Sequence, residues 1–150
     1  MCANYSGAVR SITPSTSDDN WFLAAGSNES GKVKHVHWSG ELTTTTAMQT
    51  RVARGSGQSG AITSGSVAKH HPNSPTNLIN FGTTFATTQP TLDAGDLFTA
   101  SWNAHGGVVQ WFASPGEEFV LIGAATETLI CCRNSVGTGT STYGVSWAED

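Results

Sequence analysis

The sequence predicts an all-β chain: a single-domain antiparallel β-sandwich of jelly-roll type with a short N-terminal arm. Three observations carry that prediction. Apolar and small polar residues alternate with a period of two in short segments, as in Leu97, Thr99, Ser101 and Asn103 against Phe98, Ala100 and Trp102. That is the pattern of a half-buried strand, whose successive side chains point to opposite faces. No segment repeats its apolar residues at the helical spacing of 3.6. Turn residues punctuate the chain at the short intervals expected of a sandwich or barrel.

In chain order, residues 1–20 read as an arm, with Val9 and Ile12 able to form a short strand before Pro14 and the Ser15–Asn20 turn region. The β-sandwich domain then spans 21–150. Trp21 to Ala25 is the first strongly apolar segment, and Gly26 to Gly31 closes it. Lys32 to Trp38 (KVKHVHW) alternates imperfectly. Thr43 to Thr46 lead into AMQTRVARG, a strand on threonine's and valine's β propensity. The glycine- and serine-rich stretch from Gly55 to Ser66 reads as a long mobile loop or a wide connection between sheets. Asn77 to Phe85 holds one short strand, interrupted at Gly82.

The organising stretch is Gly95 to Gly123. A strand over Leu97–Asn103 is expected to turn at Gly106-Gly107 as a two-residue hairpin, because glycine supplies the positive φ such turns need. Val108 to Phe112 returns the chain, Pro115-Gly116 breaks it, and Phe119 to Ile122 resumes as a core strand. Ala124 to Thr126 reads as a turn, Glu127 to Arg133 as a strand, Gly137 to Gly139 as a turn, and Ser141 to Trp147 as the closing strand. The total is about eight or nine strands.

Composition narrows function. Only 12% of the 150 residues are charged and the formal net charge is −4, so the surface lacks the field that steers proteins to nucleic acid or anionic membranes. No run approaches the ~18 apolar residues of a membrane span. The opening MCANYSGAVR lacks the basic and apolar regions of a secretory signal. Cys2, Cys131 and Cys132 are odd in number, and two are adjacent, which suits reduced thiols better than a disulfide framework. Synthesis in the cytoplasm as a soluble protein is expected.

Chemistry is sparse. His35-x-His37 with Glu41 is the sharpest candidate, since residues two apart on a strand share a face and a carboxylate could complete a facial metal site. It resembles the first metal motif of cupins, which would imply a metal-dependent enzyme. Glu29 and Met48 stand where that motif has glycines, and no histidine follows His105. His35 and His37 are therefore expected to be half-exposed strand residues, with no metal or cofactor. Glu117 and Glu118 are adjacent and point apart, Cys131 and Cys132 lie in an apolar strand, and no Gly-x-Ser-x-Gly elbow is present. No enzymatic activity is expected.

Several features together, namely AspLeuPheThrAlaSerTrpAsn from Asp96, GlnTrpPheAlaSerProGlyGluGluPhe from Gln110, and the closing SerValGlyThrGlyThrSerThrTyrGlyValSerTrpAlaGluAsp, resemble the jelly-roll decoration (cement) proteins of tailed-bacteriophage capsids. The likeness covers roughly residues 85 to 150, and the N-terminal half by architecture only. It implies a homotrimer on the outer capsid surface of the virion, partnered by the major capsid protein, bridging capsomers without catalysis. One apolar face carrying some of Trp102, Trp111, Phe112 and Trp147 would then meet its symmetry mates. A second reading is a tail-fibre or receptor-binding head domain that recognises surface glycans through exposed aromatics.

Overall fold

The computed structural model describes residues 3–123 and 128–149. Two antiparallel sheets face each other across one core. In the first, β9 (Val108–Phe112) and β10 (Phe119–Ile122) lie end to end along one edge of β3 (Ser30–Gly40). Next to β3 come β12 (Ser141–Glu149), β1 (Ala3–Ile12) and the short β6 (Val67–Lys69). The second sheet runs β5 (Ile62–Ser64), β7 (Asn80–Phe85), β2 (Trp21–Ala24), β11 (Leu129–Val136), β4 (Ala47–Ser56) and β8 (Thr91–Asn103).

The pairing is nested. β1 pairs with β12, β2 with β11, β3 with β9–β10, and β4 with β8. A long ribbon folded on itself and rolled up gives this order, which is the jelly roll. The sandwich therefore forms as the sequence predicts. Its added strands β5, β6 and β7 all come from the connection between β4 and β8; β5 lies within the stretch read as a loop or wide connection, β6 follows it, and β7 is the short strand expected within Asn77–Phe85.

Alternation explains the core. Tyr143, Val145 and Trp147 of β12 point inward, as do Val33, Val36 and Trp38 of β3 and Tyr5 of β1. Trp21, Trp38 and Trp147 are all fully buried. On area bookkeeping each large apolar side chain sealed this way stabilises the fold by roughly 2–3 kcal/mol. Phe81, from the connection, plugs the side between the sheets against Gly7 and Gly65. A Cβ on Gly7 would sit 2.7 Å from the Phe81 ring, so only glycine fits there.

Two expectations are corrected. Ala3 to Ile12, read as most of an arm, is strand β1, hydrogen-bonded to β12 on one side and β6 on the other. The alternation of Ala3, Tyr5 and Gly7 inward drives this, and it was masked by small residues. The second correction concerns the organising stretch. β8 and β9 do not pair as a hairpin, because β8 lies in one sheet against β4 and β9 in the other against β3. Gly106 does adopt a positive φ of 71°, but the turn it makes is an arch between sheets.

A second arch, residues 41–46, holds the first in place. Ala104 N–H donates to Thr46 O and Leu42 N–H donates to Ala104 O, both at 3.0 Å, while Gly40 N–H donates to Gly107 O at 2.9 Å. Thr140 of the β11–β12 connection accepts from Glu41 N–H at 3.0 Å. These crossovers satisfy one another's backbone at one end of the roll, as buried amides must.

Inside the core, the indole N–H groups of Trp21 and Trp38 lack a partner among the described residues, whereas Asn134 is fully engaged. Asn134 Oδ1 accepts from Asn20 Nδ2 at 3.0 Å, Thr50 Oγ1 at 2.9 Å and Tyr143 O–H at 3.1 Å. Because Tyr143 is on the opposite sheet, the network ties the two layers together. Adjacent Cys131 and Cys132 point apart as expected. Cys132 joins the main core, and Cys131 joins Phe22, Phe85 and Leu129 in a second cluster. Both thiols are free and buried. The predicted turn at Ala124–Thr126 and the start of the predicted strand at Glu127 lie outside the described residues.

Candidate functional site

The strands β9 and β10 form a single edge interrupted by a six-residue protrusion. Phe112 pairs with His35 and Phe119 with Val33, so the intervening residues loop out beside Lys34. Ser114 to Glu117 close a turn through Glu117 N–H to Ser114 O at 2.9 Å, with Gly116 at φ 88°. Lys34 Nζ bonds Glu118 Oε1 at 2.5 Å. That bond, with backbone donors including Gly116 N–H, holds the Glu118 carboxyl down at about 2.

Period-two alternation sorts the edge into an inner and an outer row. Val109, Trp111, Phe119 and Leu121 face the core. Val108, Gln110, Phe112 and Ile122 face out; Val108 is 66% exposed, Phe112 65% and Ile122 48%. Neither β9 (VVQWF) nor β10 (FVLI) holds a charged residue. Among the described residues each pairs with no strand but β3, and on β10 the Val120 carbonyl accepts from Arg54 at 2.8 Å.

Rings from β3 back this edge. His35 stacks on Phe112 with centroids 4.1 Å apart, and His37 stacks on His35 at 5.0 Å. His37 lies over Gly144 of β12, where a Cβ would come within 2.2 Å of its ring. His35 Nε2 and His37 Nδ1 are buried without a hydrogen-bond partner. Burial lowers the pKa of both imidazoles below the usual histidine value, and for His35 the neighbouring His37 adds to the effect. Beyond His37, the face drops into an open trough of about 430 Å³, bordered by Ser6, Ala8, Arg10 and Ser66.

The three metal candidates separate. His35 and His37 are neighbours, as their spacing predicts, but their rings stack instead of converging. Glu41 lies at the far end of β3, where its carboxylate accepts from Ser11 Oγ at 2.7 Å and from Thr142 Oγ1. Those two hydroxyls lower its pKa. Among the described residues, no three His, Cys, Asp or Glu side chains gather to hold a metal ion.

The four interface candidates separate too. Trp147 is only 1% exposed; it is stacked near Tyr5 and Phe81, and its Nε1–H donates to Glu149 Oε1 at 2.9 Å. It is a core residue, and its assignment to an interface is corrected. Trp102 and Trp111 are half-buried with their rings turned inward. Trp102 Nε1–H donates to Thr50 Oγ1 at 3.0 Å, and Trp111 stacks on Phe119 at 4.1 Å. Phe112 alone of the four presents its ring to solvent.

Sequence reasoning missed Val108, Ile122 and Gly144. A signal for the first was present: Gln110 marks the wet side of β9, and Val108 and Phe112 share its parity. Comparison with protein-family models, with curated proteins and with solved structures found no match.

Proposed function

We propose that this chain is a structural, non-catalytic subunit: a capsid decoration protein that binds the outside of a phage head as a homotrimer and bridges capsomers. The observation that carries the reading is the uncharged edge β9–β10. It places Val108, Phe112 and Ile122 in the open beside a backbone that, among the described residues, pairs with no strand but β3, although Arg54 donates to Val120 O at 2.8 Å on β10. An uncovered apolar edge of this kind invites pairing and aggregation, and proteins normally charge it, shorten it or cover it. A closed ring of identical subunits covers every such edge once, which suits a three-fold lattice point. Avidity then multiplies modest contacts to the shell.

The sequence likeness to decoration proteins supports the same reading, as does the low charge, which leaves contact chemistry to apolar and neutral polar groups. Phe112 replaces the tryptophans as the expected anchor, because aromatics dominate the dry centre of an interface. An electron-microscopy map of the particle that carries the protein tests the placement. Three sandwich-shaped densities around a three-fold or quasi-three-fold position, each with β9–β10 towards a neighbour, are expected. Absence of the chain from the outer shell would overturn it.

A second reading is favoured by the trough on the outer face of the first sheet. Arg10, His37, Ser6 and Ser66 border a floor of small side chains, an arrangement that could hold a sugar unit through hydrogen bonds. Glycan-array binding that is lost in Arg10→Ala would promote this glycan-recognition role over the capsid one.

A further inference from the structure

We infer that the stacked His35–His37 pair is an acid-sensitive latch for the β9 edge: protonation of these imidazoles unseats Phe112 and weakens whatever contact β9 makes. The latch itself stands on the geometry of one subunit. Its consequence for assembly rests on the homotrimer reading above.

The neutral rings suit their site. His35 is sandwiched against Phe112 at 4.1 Å and His37 at 5.0 Å. A neutral imidazole carries a lone pair on one nitrogen, so buried His35 Nε2 and His37 Nδ1 can each be that nitrogen, with no N–H left to satisfy. Protonation turns each of those nitrogens into an N–H with no acceptor, and leaving such a group unpaired is costly. Protonating both rings also sets two like charges in adjacent stacked rings, which oppose each other.

Among the described residues the surroundings offer no counter-ion, and the attraction of the Phe112 face for a cation is what the cost of protonation must outweigh. From β9 the pair faces Gln110 and Phe112, and from β12 it faces Gly144 and Ser146, none of them ionisable. From β1, Arg10 shares the trough with His37 and adds positive charge, and β6 contributes Val67 and Ala68 there. On β3 itself, Lys32 and Lys34 are cations; Lys34 is paired to Glu118 of the protruding loop, whose other acid, Glu117, is exposed. Glu41, just past the end of the strand, is taken by Ser11 and Thr142. Among the described residues neither imidazole forms an ion pair.

The test is a pH titration of the full chain by NMR, following the imidazole carbon-bound protons and the Phe112 ring signals, alongside sedimentation at neutral and acid pH. Single His35→Gln and His37→Gln variants assign the peaks. Both midpoints are expected below the ordinary histidine value of ~6.5, with the Phe112 signals moving in step. Gly144→Ala, which displaces the His37 ring, is expected to shift both midpoints towards that value. Titration at or above it, or Phe112 signals that ignore the protonation, would overturn the latch. If association weakens in acid for the wild type but not for the double Gln variant, the latch governs the assembly contact. A wild-type chain that stays monomeric throughout while Phe112 still tracks the imidazoles sinks the trimer and leaves the latch standing.

Discussion

His35 and Phe112 lie face to face across the β3–β9 pair, their ring planes within 8° of parallel. An aromatic side chain that is 65% exposed is thus held by an imidazole on the outer face instead of by the core. The same strand sends Trp111 inward onto Phe119. Strand β9 therefore has two separable roles, one in the fold and one at the surface.

Separability gives the first prediction. Phe112→Ser removes a ring outside the core, so it is expected to shift folding stability by no more than about 1 kcal/mol. Association should nevertheless be lost. Urea unfolding and light scattering on the same sample check both halves, and a large stability loss would place Phe112 in the fold.

Trp111→Ala should behave in the opposite way. Trp111 stacks on Phe119 and closes the open side of the sandwich near Phe98. Truncating a packed tryptophan typically costs about 3–5 kcal/mol, somewhat less for a half-buried one. A lowered urea midpoint is the expected result, whatever the state of assembly.

The same distinction shows how much the sequence disclosed. The sandwich class and most strands were legible, because alternation reports burial strand by strand. Alternation does not say which strand pairs with which. Leu97–Asn103 and Val108–Phe112 look like a hairpin around Gly106-Gly107, yet their partners lie far away in sequence, at β4 and β3. β1 was hidden because its inward positions include the small residues Ala3 and Gly7, the latter required to admit the Phe81 ring. At the candidate site, spacing placed His35 beside His37. It could not show that Glu41 would be held at the end of the sheet, or that Trp147 would be sealed inside.

The Asn134 network predicts a severe core defect. Asn134→Ala leaves Asn20, Thr50 and Tyr143 without their shared acceptor. Each buried donor left unpaired costs about 1–3 kcal/mol, partly relieved where Thr50 or Tyr143 can turn elsewhere. Thermal unfolding should show a loss of several kcal/mol. A neutral outcome would mean that water replaces the amide.

Stability should vary with pH in two opposed ways. Burial pushes the Asp19 carboxyl up to about 6, overcoming the pull of Arg133, whose Nε lies 2.9 Å away. An unfolded aspartate titrates near ~3.9, so between roughly pH 4 and pH 6 the folded state holds the extra proton. Stability from this group falls as pH rises through that window, by at most about 3 kcal/mol. His35 and His37 are depressed, so their contribution is complete above the ordinary histidine value and is lost as pH falls through their folded values. Asp19→Asn should therefore leave stability rising with pH, and the double His→Gln variant should leave it falling. Urea midpoints across the acid range decide between these slopes.

The central claim is assembly through the β9–β10 edge, and the mass of the purified protein in solution at neutral pH tests it most directly. Sedimentation equilibrium is expected to give about three times the 15.6 kDa of the chain, falling to a single chain in Phe112→Ser. A wild-type mass of 15.6 kDa at every accessible concentration would contradict it.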